Sequence, residues 1–280
     1  MICWVCSYPR SGSAWTRQTL EQRFYRPVAK SPPNWDAGAY ADDLVTHASF
    51  RRTGEDAVAY SLVAPNAAEV FILKEAHRAL RDSRYRRELD DDPRLFFVKT
   101  HAPVITKNFP NEKILFLVRH PLAALVSYKR FLQAVRGSDI SLERIINGEL
   151  SGPRDYLSYT SRFLDYCADR PEFIIQRYED KVLDYDRCVL DLADFLCITP
   201  NTESEKRPTD NPLYASEMKA LSIGKMSSWI DAVTAEEREL FESRYRGILT
   251  RLGYRMPSES DVAEYRARGD VSLAKDFGVP

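Results

Sequence analysis

Residues 3–17, CWVCSYPRSGSAWTR, decide the fold, because they predict a buried strand, a tight turn and the start of a helix. Residues 3–8 form a short apolar run of the residue types that favour strands. Pro9 then ends the strand, and Gly12 permits a positive φ in the turn that follows. This order of elements is typical of α/β proteins.

The predicted start of the helix, near Ala14 and Trp15, has the features of an anion site. The N–H groups of a first helical turn have no partner inside the helix and lie at the positive end of its dipole. Together with the hydroxyls of Ser11 and Ser13, they would point at a bound anion. We expect this anion to be a phosphate.

The turn differs from the phosphate loop of ATP-binding proteins, which ends in Gly-Lys-Ser/Thr. Aligning that pattern on Gly12 puts Ser13 in the place of the lysine and Ala14 in the place of the magnesium-binding hydroxyl. A cation stands instead two residues before the glycine, at Arg10. The turn therefore predicts a phosphate ester that is bound without a metal.

The length and the net charge of the chain limit the kinds of protein that it can be. A chain of 280 residues is long enough for one large α/β domain. A net charge of −1 gives no field that favours nucleic acid or an anionic membrane, so we expect neither as a partner. With no leader or membrane-spanning run visible, the sequence predicts a soluble protein of the cytoplasm.

The five cysteines suit buried thiols in a reducing compartment, because they are odd in number and lie in apolar or helical patterns. Cys3 and Cys6 have the spacing of a C-x-x-C pair. Since strand residues alternate between faces, these two would point in opposite directions. There is also no second pair, so we expect no metal site.

The remaining chain predicts a parallel sheet. Apolar strands are expected at residues 94–100, 113–118 and 172–178, and helices at about 122–135, 152–170, 184–197, 214–222 and 235–252. Continuous apolar strands separated by helices indicate a sheet that is buried on both faces. We therefore predict a single α/β domain with a P-loop-like fold, in which a central parallel sheet is flanked by helices.

Three regions are expected to be irregular or mobile, and one is expected to be helical. Residues 27–65 carry several prolines and glycines, which predicts a loop with one short helix that forms a wall of a cleft. Asn66 has the character of an N-cap for a helix that runs towards Leu89. Residues 200–211 and the charged tail beyond Pro257 have few anchors and are expected to be mobile.

Candidate functional side chains follow the ends of the predicted strands. The Arg10 turn, the pair Lys99 and His101, the turn at Arg119 and the residue Tyr178 each come directly after a strand. Because the carboxyl ends of parallel strands share one edge of the sheet, we expect these side chains to converge.

The segment SYPRSGSAW, at residues 7–15, resembles the TYPKSGTTW loop of sulfotransferases that use 3′-phosphoadenosine 5′-phosphosulfate (PAPS). In that family the loop holds the phosphosulfate group. The resemblance implies that the corresponding residues bind the cofactor here; they are Arg10, Ser11, Gly12, Ser13, Ala14 and Trp15. Arg10 replaces the family's lysine. Because a guanidinium hardly releases a proton, we do not expect Arg10 to protonate the leaving group.

The segment VKTHAP, at residues 98–103, resembles the family's KTHLP segment, whose histidine takes the proton from the acceptor hydroxyl. The resemblance implies that His101 is the base, while Arg10 and Lys99 stabilise charge on the transferring sulfuryl group and on the leaving phosphate oxygens. A neutral imidazole suits this role because its ordinary pKa is close to neutral pH. A histidine that only completes the hydrogen bonds at a strand end is the alternative.

The segment LVRHPLAALVSYKRF, at residues 117–131, resembles the family's 3′-phosphate segment and implies Arg119 and Ser127 as phosphate ligands. Eight residues span a little over two helical turns, so both lie on the same flank of the helix. An arginine and a hydroxyl recognise a terminal phosphate well. The RYED segment resembles the family's tyrosine segment and implies Tyr178 near the nucleotide, with a core tyrosine as the alternative.

The last family signature is altered here. In LSIGKMSSWIDAVTAEE, residues 221–237, Trp229 and Gly224 keep the family's register, but its basic pair is replaced. Lys225 is the nearest cation and is implied as a displaced phosphate contact, together with Gly224; a solvated lysine is the alternative.

The family's dimer segment is only partly kept. Thr234 and Glu239 match it, whereas Ile230 and Ala235 depart from its lysine and valine. Dimerisation by this segment is therefore left open.

The resemblance implies a cytosolic-type PAPS-dependent sulfotransferase with a domain at residues 1–255 and a C-terminal tail at 256–280 packed on it. It would transfer a sulfuryl group to a hydroxyl of a small organic acceptor, such as a phenol, an alcohol or a natural product, with a sugar hydroxyl also open. The product would be 3′-phosphoadenosine 5′-phosphate (PAP), and no metal is required. An ATP-dependent P-loop kinase and a non-catalytic nucleotide-binding protein of the same fold are the alternatives.

Overall fold

The computed structural model describes residues 1–24, 28–30, 51–52, 57–60, 70–73, 82–101, 107–149, 155–200, 226–269 and 271–273. Its strands are β1 (Ile2–Ser7), β2 (Val28–Lys30), β3 (Arg51–Arg52), β4 (Ala57–Tyr60), β5 (Val70–Leu73), β6 (Phe96–Thr100), β7 (Lys113–Val118) and β8 (Phe173–Arg177). Its helices are α1 (Ser13–Arg23), α2 (Ser83–Asp91), α3 (Pro121–Arg136), α4 (Leu142–Ile146), α5 (Tyr156–Cys167), α6 (Tyr178–Leu183), α7 (Tyr185–Leu196), α8 (Ala235–Arg251) and α9 (Glu259–Arg268). A 3-10 turn at Ile230–Ala232 precedes α8.

A five-stranded sheet in the order β2-β6-β1-β7-β8 forms the centre of the molecule, and every neighbouring pair in it is parallel. β1 is the middle strand, and Val5 pairs with Lys99 of β6 on one side and with Leu115 of β7 on the other. The predicted parallel sheet flanked by helices is therefore confirmed.

Each face of the sheet has its own apolar cluster, because successive strand residues point to opposite sides. Trp4 and Cys6 pack on the face covered by α3, α4, α5 and α8, while Cys3 and Val5 pack on the face covered by α1, α6 and α7. The two cysteines thus lie on opposite faces, as predicted. Four cysteines are buried; Cys197, at the end of α7, is exposed, contrary to the expectation of buried thiols.

Local sequence signals set the ends of several helices. Pro121 occupies the first turn of α3, where its missing N–H costs nothing, and Gly137 ends that helix with a φ of 60°. The Asp82 side chain caps α2 by accepting from two backbone N–H groups, and Thr234 forms a capping box at the start of α8.

The connections around β1 and β7 leave a crevice. α1 follows β1 and packs on one face, whereas α3 follows β7 and packs on the other face. The chain therefore diverges at the carboxyl ends of these two neighbouring strands. In open α/β sheets, this is the place where ligands bind.

The predictions for residues 27–89 were wrong in two respects. The expected loop contains β2, β3 and β4, and the expected helix from Asn66 contains β5 at Val70–Leu73; among the described residues of that predicted helix, only those from Ser83 onward are helical. β3, β4 and β5 form a separate antiparallel sheet in which Ala57 pairs with Leu73. The run VFIL is short, apolar and β-favouring, so strand pairing overrides its weak helical spacing.

The tail beyond Pro257 has more anchors than predicted. α9 begins with a capping box at Ser258, and the carboxylate of Asp261 also receives the Arg255 guanidinium. Val271 and Leu273 are buried in the cluster beneath the sheet. In the described part of this tail the chain is packed on the core. None of the helices in the described residues is long and apolar enough to cross a membrane.

Candidate functional site

The loop between β1 and α1 is shaped by its backbone. Arg10 and Gly12 have φ angles of 71° and 97°, both in the left-handed region, and the Ser11 N–H donates to the carbonyl oxygen of Tyr8 at 3.3 Å. Gly12 is required for a second reason, since a Cβ there would lie 2.9 Å from Cδ2 of Tyr178. The sequence predicted the positive φ of the glycine but not that of Arg10.

The first turn of α1 keeps its N–H groups available. Its N-cap is Gly12, which has no side chain to accept from them, so Ser13, Ala14 and Trp15 occupy the first three helical positions. The Ser11 hydroxyl is buried and has no hydrogen-bond partner among the described residues. These donors line the carboxyl end of β1, where an anion would accept from them.

Arg10 links the loop to α3. Its Nε donates to Oγ of Ser127 at 3.2 Å, and its guanidinium lies 5.4 Å from the ring centre of Phe131. Burial lowers the pKa of Arg10, and the charge of Arg119 lowers it further. The two guanidinium groups are thus close enough to repel each other, and an anion between them would offset this repulsion.

His101 and Lys99 lie at the carboxyl end of β6, beside the same loop. The Nδ1 atom of His101 lies 2.6 Å from the carbonyl oxygen of Ser7, and its Nε2 atom lies 2.7 Å from Nζ of Lys99. Because a carbonyl only accepts, Nδ1 carries the proton and Nε2 holds a lone pair. Burial, followed by the charge of Lys99, lowers the pKa of His101 to about 3, so the imidazole is neutral.

Arg119 stands in the turn between β7 and α3, and the backbone of this turn is held by buried side chains. The hydroxyl of Tyr156 donates to the carbonyl oxygen of Arg119 at 3.0 Å. The next peptide N–H, that of His120, donates to Oε1 of Glu179 at 3.0 Å. The Arg119 guanidinium lies 4.3 Å from the ring centre of Tyr178, close enough for a cation–π contact.

Glu179 and His120 support this turn and were not predicted from the sequence. Glu179 also accepts from the hydroxyl of Tyr254, and burial raises the pKa of its carboxyl group. The His120 ring stacks on Trp229 with ring centres 4.8 Å apart. Only the tertiary structure brings these partners together, because they are distant in the sequence.

Tyr178 connects the two ends of the candidate site. It begins α6, is buried, and packs edge-to-face on Trp15 with ring centres 5.4 Å apart. Tyr178 belongs to the apolar cluster on the α1 side of the sheet. It also lies against Gly12 and Arg119, which stand at the crevice.

A small cleft lies behind the loop, on the α1 side of the sheet. It is lined by Ser11, Gly12, Trp15, Thr16, Gln176, Arg177, Tyr178 and Lys181. Lys181 is buried and donates to Oγ1 of Thr16 at 2.7 Å. Burial lowers the pKa of Lys181 to about 8. The sequence analysis missed Lys181 and Gln176; their only signal is that both lie within three residues of Tyr178.

The structure thus brings together the predicted residues of the loop, of β6 and of the Arg119 turn, with Ser127 and Tyr178. Gly224 and Lys225 lie outside the described residues, and the description resumes at Met226. Within the described part of the chain, no group of histidine, cysteine and carboxylate side chains has the arrangement of a metal site.

Solved structures with the same fold include several sulfotransferases. Mouse sulfotransferase SULT7A1 complexed with PAP is 16% identical, with a TM-score of 0.54 over 88% of this chain and 84% of that one. Retinol dehydratase in complex with androsterone and the inactive cofactor PAP is 19% identical, with a TM-score of 0.56 over 91% and 82% of the two chains. The sulfotransferase domain of the curacin biosynthetic pathway is 16% identical, with a TM-score of 0.51 over 91% and 98%.

These identities are low, so the structural likeness establishes the fold alone. Comparison with curated protein sequences gives no match. The family model of the sulfotransferase domain, however, matches residues 3–247, which include every described candidate residue of the crevice. This match covers most of the chain, and we conclude that the protein belongs to the sulfotransferase family and is a sulfotransferase.

Proposed function

We propose that this protein transfers a sulfuryl group from PAPS to a hydroxyl of a small organic acceptor and releases PAP. The observation that carries the proposal is the meeting of cations, helix N–H groups and a neutral histidine at the carboxyl ends of β1, β6 and β7. Such a site suits an anionic phosphosulfate donor whose sulfuryl group is transferred to a neutral hydroxyl. The solved sulfotransferase with PAP bound supports the choice of nucleotide.

In this proposal the two phosphates of the nucleotide occupy the two ends of the crevice. The loop residues Arg10, Ser11, Gly12, Ser13, Ala14 and Trp15 hold the 5′-phosphosulfate, and Arg119 and Ser127 hold the 3′-phosphate. The hydrogen bond from Arg10 to Ser127 supports a position for Arg10 between the two ends. Its repulsion with Arg119 supports the presence of an anion there.

The reaction forms a bond between the acceptor oxygen and sulfur and breaks the bond between sulfur and the phosphate oxygen. The acceptor proton moves to Nε2 of His101, whose lone pair is fixed by the bond from Nδ1 to Ser7. Lys99 donates to this same Nε2 atom in the free protein. We propose that Lys99 turns to the sulfuryl oxygens when PAPS binds, which exposes the lone pair and stabilises the developing charge.

In this proposal, binding of the negatively charged cofactor also raises the pKa of His101 and so makes it a stronger base. A pKa of about 3 makes the free imidazole a weak base. Negative oxygens near the ring favour its protonated form and raise this pKa, and the departure of Lys99 removes a charge that lowers it. His101 therefore becomes an effective base only in the complex with PAPS.

The acceptor is proposed to be a small organic molecule with a hydroxyl group, such as a phenol, an alcohol or a natural product. The structural relative that binds androsterone, and a second structure of retinol dehydratase that binds retinol, support this class. We further propose that Gly224 and Lys225 contact the 3′-phosphate, and that the reaction takes place in the cytoplasm.

The domain boundaries remain part of the proposal. Residues 1–255 would form the sulfotransferase domain, with residues 256–280 packed on it. The burial of Val271 and Leu273 in the cluster beneath the sheet supports this division.

The test is transfer of labelled sulfur from PAPS to a panel of phenols, alcohols and sugars. We expect wild-type turnover with at least one class, no measurable turnover for His101→Ala, and nearly unchanged PAP affinity for that variant. Glu242→Ala, at an exposed position on α8, serves as the control and keeps full activity. Near-full turnover by His101→Ala would remove the histidine from its role.

Thermal shifts of the wild-type protein with different nucleotides distinguish the other two candidate functions. A thermal shift with ATP and Mg²⁺ but none with PAP would favour a kinase. A shift with PAP but no turnover with any acceptor would favour a non-catalytic nucleotide-binding protein.

A further inference from the structure

Lys181 places a buried ammonium group directly behind the loop between β1 and α1. Its side chain, on α6, is 3% exposed and lines the cleft together with Ser11 and Gly12 of the loop. Its Nζ atom donates to Oγ1 of Thr16 at 2.7 Å and lies 5.6 Å from the ring centre of Trp15. Both of these residues belong to the first turn of α1. The charge therefore adjoins the turn whose N–H groups would bind an anion.

Within the described residues, the protein supplies no counter-charge for this ammonium group. Around it, the indole of Trp15 and the hydroxyl of Thr16 on α1 and the amide of Gln176 on β8 are uncharged. Of the described side chains, only the thiol of Cys188 on α7 acts on Lys181 electrostatically. Burial raises the pKa of this thiol to about 11, so it is neutral near pH 7.

The charged residues next to Lys181 in the chain have other partners. Nε of Arg177, which also lines the cleft, donates to Oδ2 of Asp180 at 2.7 Å. Glu179 accepts from the turn after β7 and from the hydroxyl of Tyr254. Because a charge removed from water is normally paired with an opposite charge, a buried ammonium group without such a pair indicates a ligand that carries negative charge.

We propose that Lys181 is a positioning residue of the cofactor site and that the bound nucleotide supplies the counter-charge that its ammonium group lacks. This inference rests on the proposed function, because it presupposes that the loop holds the phosphosulfate group. Lys181 acts from behind the loop, where its charge adds to the dipole of α1 and attracts the anion without entering the crevice. Arg10 keeps its charge at every pH at which the protein is folded, whereas a lysine can lose its proton.

Nucleotide binding is therefore coupled to the protonation of Lys181. Burial lowers the pKa of Lys181 in the free protein to about 8, so the group is mostly uncharged above about pH 9. An anion nearby favours the charged form and raises this pKa. The complex then binds more protons than the free protein between the two pKa values, and the affinity for the nucleotide falls as the pH rises through this range.

The experiment measures the affinity of the full-length protein for PAP by calorimetry at about pH 7, 8.5 and 10, in buffers of different ionisation enthalpy, which also gives the proton uptake. Lys181→Met replaces the ammonium group by an uncharged chain of similar length. We expect it to weaken PAP binding about 10-fold at about pH 7 and to match the wild type at about pH 10. At about pH 8.5, the wild type should take up about half a proton per PAP and the variant none.

Lys107→Met, at a surface ion pair with Glu172, is the matched control and keeps the affinity and the proton uptake of the wild type. Thermal melting of the free proteins gives an independent measurement. Because a buried charge without a counter-charge costs stability, Lys181→Met should melt no lower than the wild type. A lower melting temperature together with an unchanged PAP affinity would assign Lys181 to the fold and overturn the inference.

Two further results overturn the inference while leaving the proposed function intact: a wild type that turns over PAPS but takes up no proton with PAP at about pH 8.5, and a folded Lys181→Met that binds PAP as tightly as the wild type at about pH 7. The first needs no variant, so the inference stays testable if Lys181→Met does not fold. A wild type that neither binds PAP nor turns over PAPS overturns the proposed function, and the inference with it.

Discussion

The two ends of the crevice are built in different ways. The loop after β1 is held by its own backbone, with Arg10 and Gly12 in left-handed conformations. The turn after β7 is held by buried side chains, with Tyr156 bonded to the Arg119 carbonyl and Glu179 bonded to the next N–H. Because the loop is held by its backbone, most of its side chains are dispensable for folding. The side chains that hold the turn, in contrast, belong to the core and to the site at the same time.

This difference predicts which substitutions separate function from stability. A change in a loop side chain removes chemistry and spares the fold. A change in the partners of the Arg119 turn removes both together, because an unpaired buried polar group costs free energy wherever it lies.

The largest expected effect is at the loop. Arg10→Gly should lower the rate of sulfuryl transfer by about 100-fold or more, the usual loss of one charge-stabilising group. The free energy of unfolding should not fall, and it should gain up to about 1 kcal/mol, because glycine adopts the left-handed conformation of residue 10 without strain. Labelled-PAPS turnover and urea unfolding measure the two effects.

Arg10→Lys is the matched control for this variant. It keeps a cation at the position and should retain transfer within about 10-fold of the wild type. A marked loss of stability in Arg10→Gly would show that the loop depends on its side chains after all.

Next in size is the effect of Glu179→Ala at the turn. The substitution leaves the N–H of His120 and the hydroxyl of Tyr254 buried without an acceptor. We expect the free energy of unfolding to fall by about 3 kcal/mol, together with a loss of PAP affinity. Urea unfolding measures the loss of stability, with Glu242→Ala at an exposed position as the control. An unchanged unfolding midpoint would contradict a role of Glu179 in both the fold and the site.

Arg119→Ala tests the turn through its ligand. We expect PAP affinity to fall by about 2 kcal/mol, or about 30-fold, because a charge-assisted bond to the 3′-phosphate is lost. The affinity for adenosine 5′-phosphate, which lacks that phosphate, should change little. Calorimetry with both nucleotides distinguishes the cases, and equal losses would reject the 3′-phosphate assignment.

The smallest effect is the pH dependence of His120. Burial lowers its pKa to about 3, below its value of about 6.5 in the unfolded chain. The unfolded chain therefore binds more protons between these values, and stability falls as the pH drops below about 6.5. Between about pH 8 and pH 5.5, His120→Asn should lose about 1.4 kcal/mol less stability than the wild type. Urea unfolding at the two pH values measures this, and equal losses in both proteins would contradict a buried neutral imidazole.

The parallel sheet could be predicted because its strands are continuous apolar runs, a signal that depends only on neighbouring residues in the sequence. The loop and the turn could be predicted from Pro9, Gly12 and Pro121, because the backbone preferences of proline and glycine are also local. Glu179, Lys181 and Gln176 escaped prediction, since their roles depend on neighbours far away in the sequence. The strand at Val70–Leu73, within the helix predicted from Asn66 towards Leu89, shows the converse, because pairing with β4 overrides a weak local pattern.

The distribution of the thiols provides a ready means of following these experiments. Cys197 is exposed, whereas the other four cysteines are buried, and burial raises the pKa of Cys3 and Cys167 to about 12 and that of Cys188 to about 11. A thiol-reactive dye should therefore label the native chain at one position without any engineered cysteine. Cys197 ends α7, the helix that carries the Cys188 carbonyl bonded to Gln176, so its fluorescence offers an optical signal close to the cleft.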